Sequence, residues 1–241
     1  MQFAPVLHAE WLKIRTVRSL PGALFALFAV TTAFSAIAGV DGASDPELDP
    51  LFTALSGVTL GQIAAISFGA MAVSAEYHDG ALRLSLAAVP RRGRWFAAKA
   101  TAIAVPVLAV SLPTSLAALL AARAGLGPAA SGLTPAEQVR GVVGCGLYLT
   151  LMALFAAGLA TLLRSGVATL SVLIPFILVV SFVIGDAVGT VTDFLPDRAG
   201  QVVLHETHDG TLGPWPGLAV TALWTAAALL AGAWSLRRRD A

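Results

Sequence analysis

Apolar residues come in six long runs, and the charged residues are confined to the stretches between them. The charge-free windows are residues 19–40, 50–75, 100–122, 141–163, 165–185 and 210–236. Each reaches the ~20 residues that a helix needs to cross a ~30 Å hydrocarbon layer. A single Arg or Asp at mid-membrane costs about 2.5–3.5 kcal/mol on insertion scales, so windows this clean are not accidental. The pattern predicts an all-α, polytopic membrane protein, one transmembrane domain over residues 1–241. Its six spans fall near residues 20–40, 51–75, 100–122, 136–163, 166–186 and 216–236.

The segments between the spans carry their own patterns. In residues 1–18, Phe3, Leu7, Trp11 and Ile14 form an apolar stripe beside Lys13 and Arg15, which suits an amphipathic helix at the membrane interface. Glu10 sits at the edge of that stripe. Ala36-Ile37-Ala38 resembles a signal-peptide cleavage site, but the structured lead-in and the five later spans favour a retained first helix. In residues 76–99, Asp79 and Gly80 suit a helix start, Leu82, Leu86 and Val89 share one helical face, and Pro90 stops the helix. A short amphipathic helix slung between spans two and three, followed by a basic turn, reads as a docking element.

Further along, Asp49-Pro50 and Thr134-Pro135-Ala136-Glu137 are helix starts, the second a capping box. Arg164-Ser165-Gly166 is a tight turn between spans four and five. Residues 187–215 mix helix-like pieces with breakers at Pro196, Gly210, Gly213 and Pro214. Span two carries Gly57, Gly61, Ala65 and Gly69 at four-residue steps, a small-residue face that permits close helix approach. It serves either packing within the chain or a dimer seam. Pro106 and Pro113 favour bends in span three.

Composition agrees with the pattern: 57% of residues are hydrophobic, 12% are charged, and mean hydropathy is +0.81. Soluble domains hold roughly 45–50% apolar and about 25% charged residues. The net charge of +1 says nothing about partners by itself, and no nucleic-acid partner is expected; the distribution of charge is more telling. With the N-terminus inside, the inner segments hold Lys13, Arg15, Arg18, Arg83, Arg91, Arg92, Arg94, Lys99, Arg164 and Arg237 to Arg239. The outer loops hold only Arg123, Arg140 and Arg198. Lys and Arg stay on the cytoplasmic side of a plasma membrane, so both termini are expected inside.

Catalytic chemistry is hard to find. Cys145 is the lone cysteine, which excludes an intrachain disulfide and a cysteine-based metal site. No P-loop is present. His205-Glu206-Thr207-His208 is one residue short of a zinc-protease motif and reads as a solvated loop. No His lies within a span, against a haem site, and no carboxylate or Lys lies mid-span, against a proton-coupled carrier. The chain is expected to be neither an enzyme nor a cofactor protein, and to draw its energy from a partner. With few polar groups in its spans, a pathway through it should be mainly apolar and suit an amphipathic substrate.

The whole plan resembles the permease subunit of type-2 ABC exporters, in particular those common in high-GC actinobacteria. Three stretches carry the resemblance: Ala9-Glu10-Trp11-Leu12-Lys13-Ile14-Arg15-Thr16-Val17-Arg18-Ser19, residues 76–99, and Phe194-Leu195-Pro196 with Ala199-Gly200-Gln201. Residues 76–99 are the most specific, with Glu76, Gly80-Ala81-Leu82, Pro90-Arg91-Arg92 and Lys99 in the family's order; Ala81 stands where Thr is commoner. The resemblance implies that residues 79–89 form a coupling helix seated on a separate cytoplasmic ABC ATPase. Glu76, Asp79, Gly80, Leu82, Leu86, Val89, Arg91 and Arg92 would be its coupling residues. It also implies a second permease copy, or a related permease, in the bilayer. Two other classes remain. One is a non-transporting immunity, sensor or regulatory protein whose basic loop binds a cytoplasmic partner. The other is an intramembrane enzyme, for which no span offers a Ser/His or paired-carboxylate site.

Overall fold

The computed structural model describes residues 3–44, 48–78, 80–89, 91–178, 189–207 and 211–238. Among them there are helices and turns and no strand. In chain order the α-helices are α1 (Phe3–Thr16), α2 (Ser19–Asp41), α3 (Pro50–Leu55), α4 (Val58–Ser74), α5 (Ala81–Ala88), α6 (Arg92–Leu126), α7 (Pro135–Leu163), α8 (Gly166–Pro175), α9 (Pro196–Gln201) and α10 (Pro214–Arg238). Five helical segments are long and apolar enough to cross a membrane: α2, the α3–α4 segment Pro50–Tyr77, α6, α7 and α10. The expected fifth span is different. Its described part, Gly166–Leu178, rises only roughly 20 Å at 1.5 Å per residue, and the rest of that window lies outside the described residues.

Helix ends follow local chemistry. The Asp49 carboxylate accepts from the Leu51 and Phe52 N–H groups with Pro50 at the first helical position, which starts α3. Thr134 and Glu137 cap each other at the start of α7. Arg164, at φ 55°, ends α7, and Ser165 caps α8. The capped ends satisfy backbone N–H groups that have no partner inside the helix.

The core centres on α7, which packs against α4, α6 and α10, while α2 packs on α4 and α6. Of the most apolar window of α7, 67% is buried; for α2 the figure is 22%. Small residues set these distances. A Cβ on Gly57 or Gly61 would collide with Thr31 of α2, and one on Gly69 with the Ala153 carbonyl of α7. The row Gly57, Gly61, Ala65, Gly69 is thus covered by helices of the same chain. Pro106 and Pro113 both lie within the unbroken helix α6.

At the end of the bundle where α4 begins, the segment after α9 is pinned. The His205 ring stacks on Phe52, with centroids 4.3 Å apart and planes 8° apart. His205 Nδ1 also lies 3.2 Å from Asp49 Oδ2, and the Glu206 N–H donates to the same oxygen at 2.8 Å. His205 is therefore packed in place, not simply solvated as its motif reads from sequence; His208 lies outside the described residues.

Candidate functional site: a buried charge cluster behind a short helix

The opposite end of the bundle gathers charge. Glu76 follows directly after α4 in the turn Ala75–Tyr77, Lys99 lies in the second turn of α6, and Glu10 and Lys13 face inward from α1. Lys99 Nζ donates to Glu10 Oε2 at 2.5 Å and to Glu76 Oε1 at 2.6 Å. Lys13 Nζ reaches Glu10 Oε1 and Glu76 Oε1, both at 2.9 Å. Two ammonium groups thus alternate with two carboxylates. The side chains of Lys99, Glu10 and Glu76 are only 3% exposed, while that of Lys13 is 39% exposed.

The cluster also holds α5. Ser85 Oγ donates to Glu76 Oε2 at 3.1 Å and accepts from Lys13 Nζ at 3.1 Å. Three elements, α1, α5 and the start of α6, are therefore tied to the end of α4 through one set of ions. Taking an ion out of water costs several kcal/mol, offset only when partners are close and the remaining donors and acceptors are used. Burial pulls the Lys13 ammonium towards neutrality, but the hydrogen bonds and charges of Glu10 and Glu76 outweigh it and raise its pKa above the ordinary lysine value. Lys13 stays charged across the physiological range.

Gly80 precedes α5 at φ 73°, a left-handed conformation that glycine adopts without steric cost. Leu82 is buried, and Leu86 and Val89 pack beside it against a small cluster of Val6, Trp95, Phe96, Ala98 and Leu236. The sequence expectation put Leu82, Leu86 and Val89 on the coupling side of α5. The face carrying Leu82, Leu86 and Val89 covers the protein's own core, because α1, α6 and α10 supply apolar partners behind it. The face turned outward carries Arg83, Leu84, Ala87 and Ala88, with Leu84 74% exposed. Between α1 and α5 runs a groove of about 680 Å³, lined by Pro5, Val6 and Ala9 on one side and Leu84, Ala88 and Val89 on the other.

Of the other residues singled out in sequence, Glu76 is at the heart of the cluster and Arg91 is exposed. Arg92 Nη1 donates to the Leu236 carbonyl at 2.6 Å, joining α6 to the end of α10. Asp79 lies outside the described residues. The partners of Glu76, namely Lys13, Ser85 and Lys99, and the Glu10 that shares both lysines, were not recognised as a site from sequence. A signal was present: Glu10 and Lys13 are three apart on a helix, and the acid interrupts an apolar face. The buried face of α1 is in fact Val6, Glu10 and Ile14, so Glu10 is at its centre.

The arrangement clamps α1, α5 and α6 to the end of α4 electrostatically. Among the described residues no group of three His, Cys, Asp or Glu side chains is placed to hold a metal ion. No protein-family model and no curated protein matches this chain.

Proposed function

We propose that this chain is the membrane-spanning permease subunit of an ATP-driven exporter, coupled through α5 to a separate cytoplasmic ABC ATPase. It would cross the plasma membrane six times with both termini inside, and work beside a second copy or a related permease. One observation carries the reading. A short helix between two spans is clamped from behind by buried ions to α1 and α6, while its far side presents Leu84 with Arg83. A loose linker needs no such clamp. A helix that must pass a push from a partner into the spans does, because force applied to it then reaches the ends of α4 and α6 together.

The test separates the two faces of α5. Leu84→Asp places a carboxylate on the docking face and leaves the fold intact. Removing an apolar contact and desolvating a charge there costs roughly 1.5–3 kcal/mol or more, about tenfold or more in affinity. Leu86→Asp instead puts the charge against the protein's own core and should lower the melting temperature. The measurement is the ATPase recovered with the purified permease, read by mass spectrometry. Wild-type protein that brings down no ATPase favours the non-transporting regulator, and undiminished recovery with Leu84→Asp removes the coupling role of this face.

A further inference from the structure

A second cavity lies at the other end of α4. Gln62, which lines it, is fourteen residues before Glu76, or about 21 Å along the helix axis. Its volume is about 350 Å³; Phe52, Ile177, Leu178 and Val202 form its apolar wall, and Thr59 and Gln62 of α4 with Asp193, Asp197, Arg198, Gln201 and His205 its polar one. The polar lining is organised. The Tyr148 hydroxyl, fully buried in α7, donates to Gln62 Oε1 and accepts from Gln201 Nε2 at 3.2 Å. Gln62 also donates to the Thr59 carbonyl at 3.1 Å. Gln62 is 1% exposed and Asp197 3%.

Burying the Gln62 carboxamide, a phenol and a carboxylate stabilises nothing that apolar side chains could not supply at lower cost. The string Gln62–Tyr148–Gln201 fixes both amides at the cavity wall, with carboxylates and a guanidinium beside them. From this we propose that the cavity binds a neutral, polyhydroxylated group the size of one sugar ring or a cyclic polyol.

Charge and size select that class. The walls carry both signs, Arg198 beside Asp193 and Asp197, so a small ion of either charge meets a like charge as well as an opposite one, a penalty that a neutral ligand does not meet. Hydroxyl groups both donate and accept, so one ring can donate to the carboxylates and accept from the amides and guanidinium at once. Ligand cavities run from roughly 300 to 1,000 Å³, and this one, near the lower limit, holds a single ring and not an oligosaccharide. A free sugar and a sugar-headed lipid present the same chemistry here. The inference concerns binding by this chain alone and does not depend on the exporter reading.

The probes are myo-inositol and methyl β-glucoside, with choline and acetate as charged controls, titrated against the protein in lipid nanodiscs by saturation-transfer NMR. We expect saturable transfer to the ring protons of inositol and glucoside and none to choline or acetate. Gln201→Leu should weaken that binding about tenfold, the effect of losing one buried hydrogen-bonding group. Thr59→Trp fills the cavity from its rim, leaves the Gln–Tyr–Gln string untouched, and should abolish the signal at an unchanged melting temperature. Octyl and methyl β-glucoside compared as competitors of inositol identify the source. Stronger displacement by the octyl form marks a lipid headgroup, and equal displacement a free sugar. Preference for choline or acetate, no transfer to either polyol, or a polyol signal that survives Thr59→Trp overturns the proposal.

Discussion

At the scale of single residues, the two lysines of the charge cluster make similar hydrogen bonds but differ in what surrounds them. Lys99 sits between Glu10 and Glu76 with 3% of its side chain exposed, whereas Lys13 is 39% exposed. Lys99→Met would leave two buried carboxylates sharing one ammonium, that of Lys13. Stripping one partner from a buried pair costs about 3–5 kcal/mol. With Lys13→Met, water can take over much of the role of the lost ammonium, so the loss should be clearly smaller. Thermal unfolding of the two variants in one detergent checks the order; equal losses would mean that Lys99 is better hydrated than its burial indicates. Part of this was legible beforehand. Glu76 and Lys99 belong to the 76–99 stretch singled out in the sequence. Glu10 reads as an imperfection beside an apolar stripe until Lys99, 89 residues away along the chain, is brought to it next to Lys13.

At the scale of elements, starts and stops were the most legible part, because a cap is written in adjacent residues: Asp49-Pro50, Thr134 with Glu137, Arg164-Ser165. Boundaries defined by charge were less so. Residues 92–99 read as a basic turn, yet they form the first two turns of α6, because Lys99 is neutralised by Glu10 and Glu76. Which side of α5 is left exposed was also beyond local pattern, since it depends on Trp95 and Leu236 arriving from other helices. Long-range ties of this kind are testable at the opposite end, where Asp49 holds α3 to the segment after α9. Burial alone would raise the Asp49 pKa, but the bonds from His205 and from the Phe52 and Glu206 N–H groups outweigh it and hold the carboxyl below its ordinary value. A group whose pKa is lowered by folding stabilises the fold above its unfolded value, roughly 3.9, and loses that contribution as pH falls through the folded value. Hydrogen exchange at Glu206 and Thr207 should therefore be slow at pH 6 and quicken, relative to the intrinsic rate, below about pH 4. In Asp49→Asn the protection should be weaker and should not change over that interval.

The whole molecule has a buried centre in α7 and an apolar outside. Phe25 and Val40 of α2 are 71% and 65% exposed, and Leu223 and Leu230 of α10 are each 70% exposed. Such surface has no place in water and fits a bilayer. What the apolar sleeve does not fix is which end faces the cytoplasm; the uneven distribution of Lys and Arg argues that the charge-cluster end does. Single cysteines can decide it, because the native Cys145 is fully buried and gives no background. Ser85 is unsuitable as a reporter, since its hydroxyl is engaged by Glu76 and Lys13. Ala87, on the outward face of α5, is exposed, as are Ala43 after α2 and Thr207 beyond α9. In intact cells an impermeant thiol reagent should label Ala43→Cys and Thr207→Cys and leave Ala87→Cys unreacted; after the membrane is opened all three should react. Labelling of Ala87→Cys from outside would put α5 on the wrong side of the membrane for any cytoplasmic ATPase, and the exporter reading would fall with it.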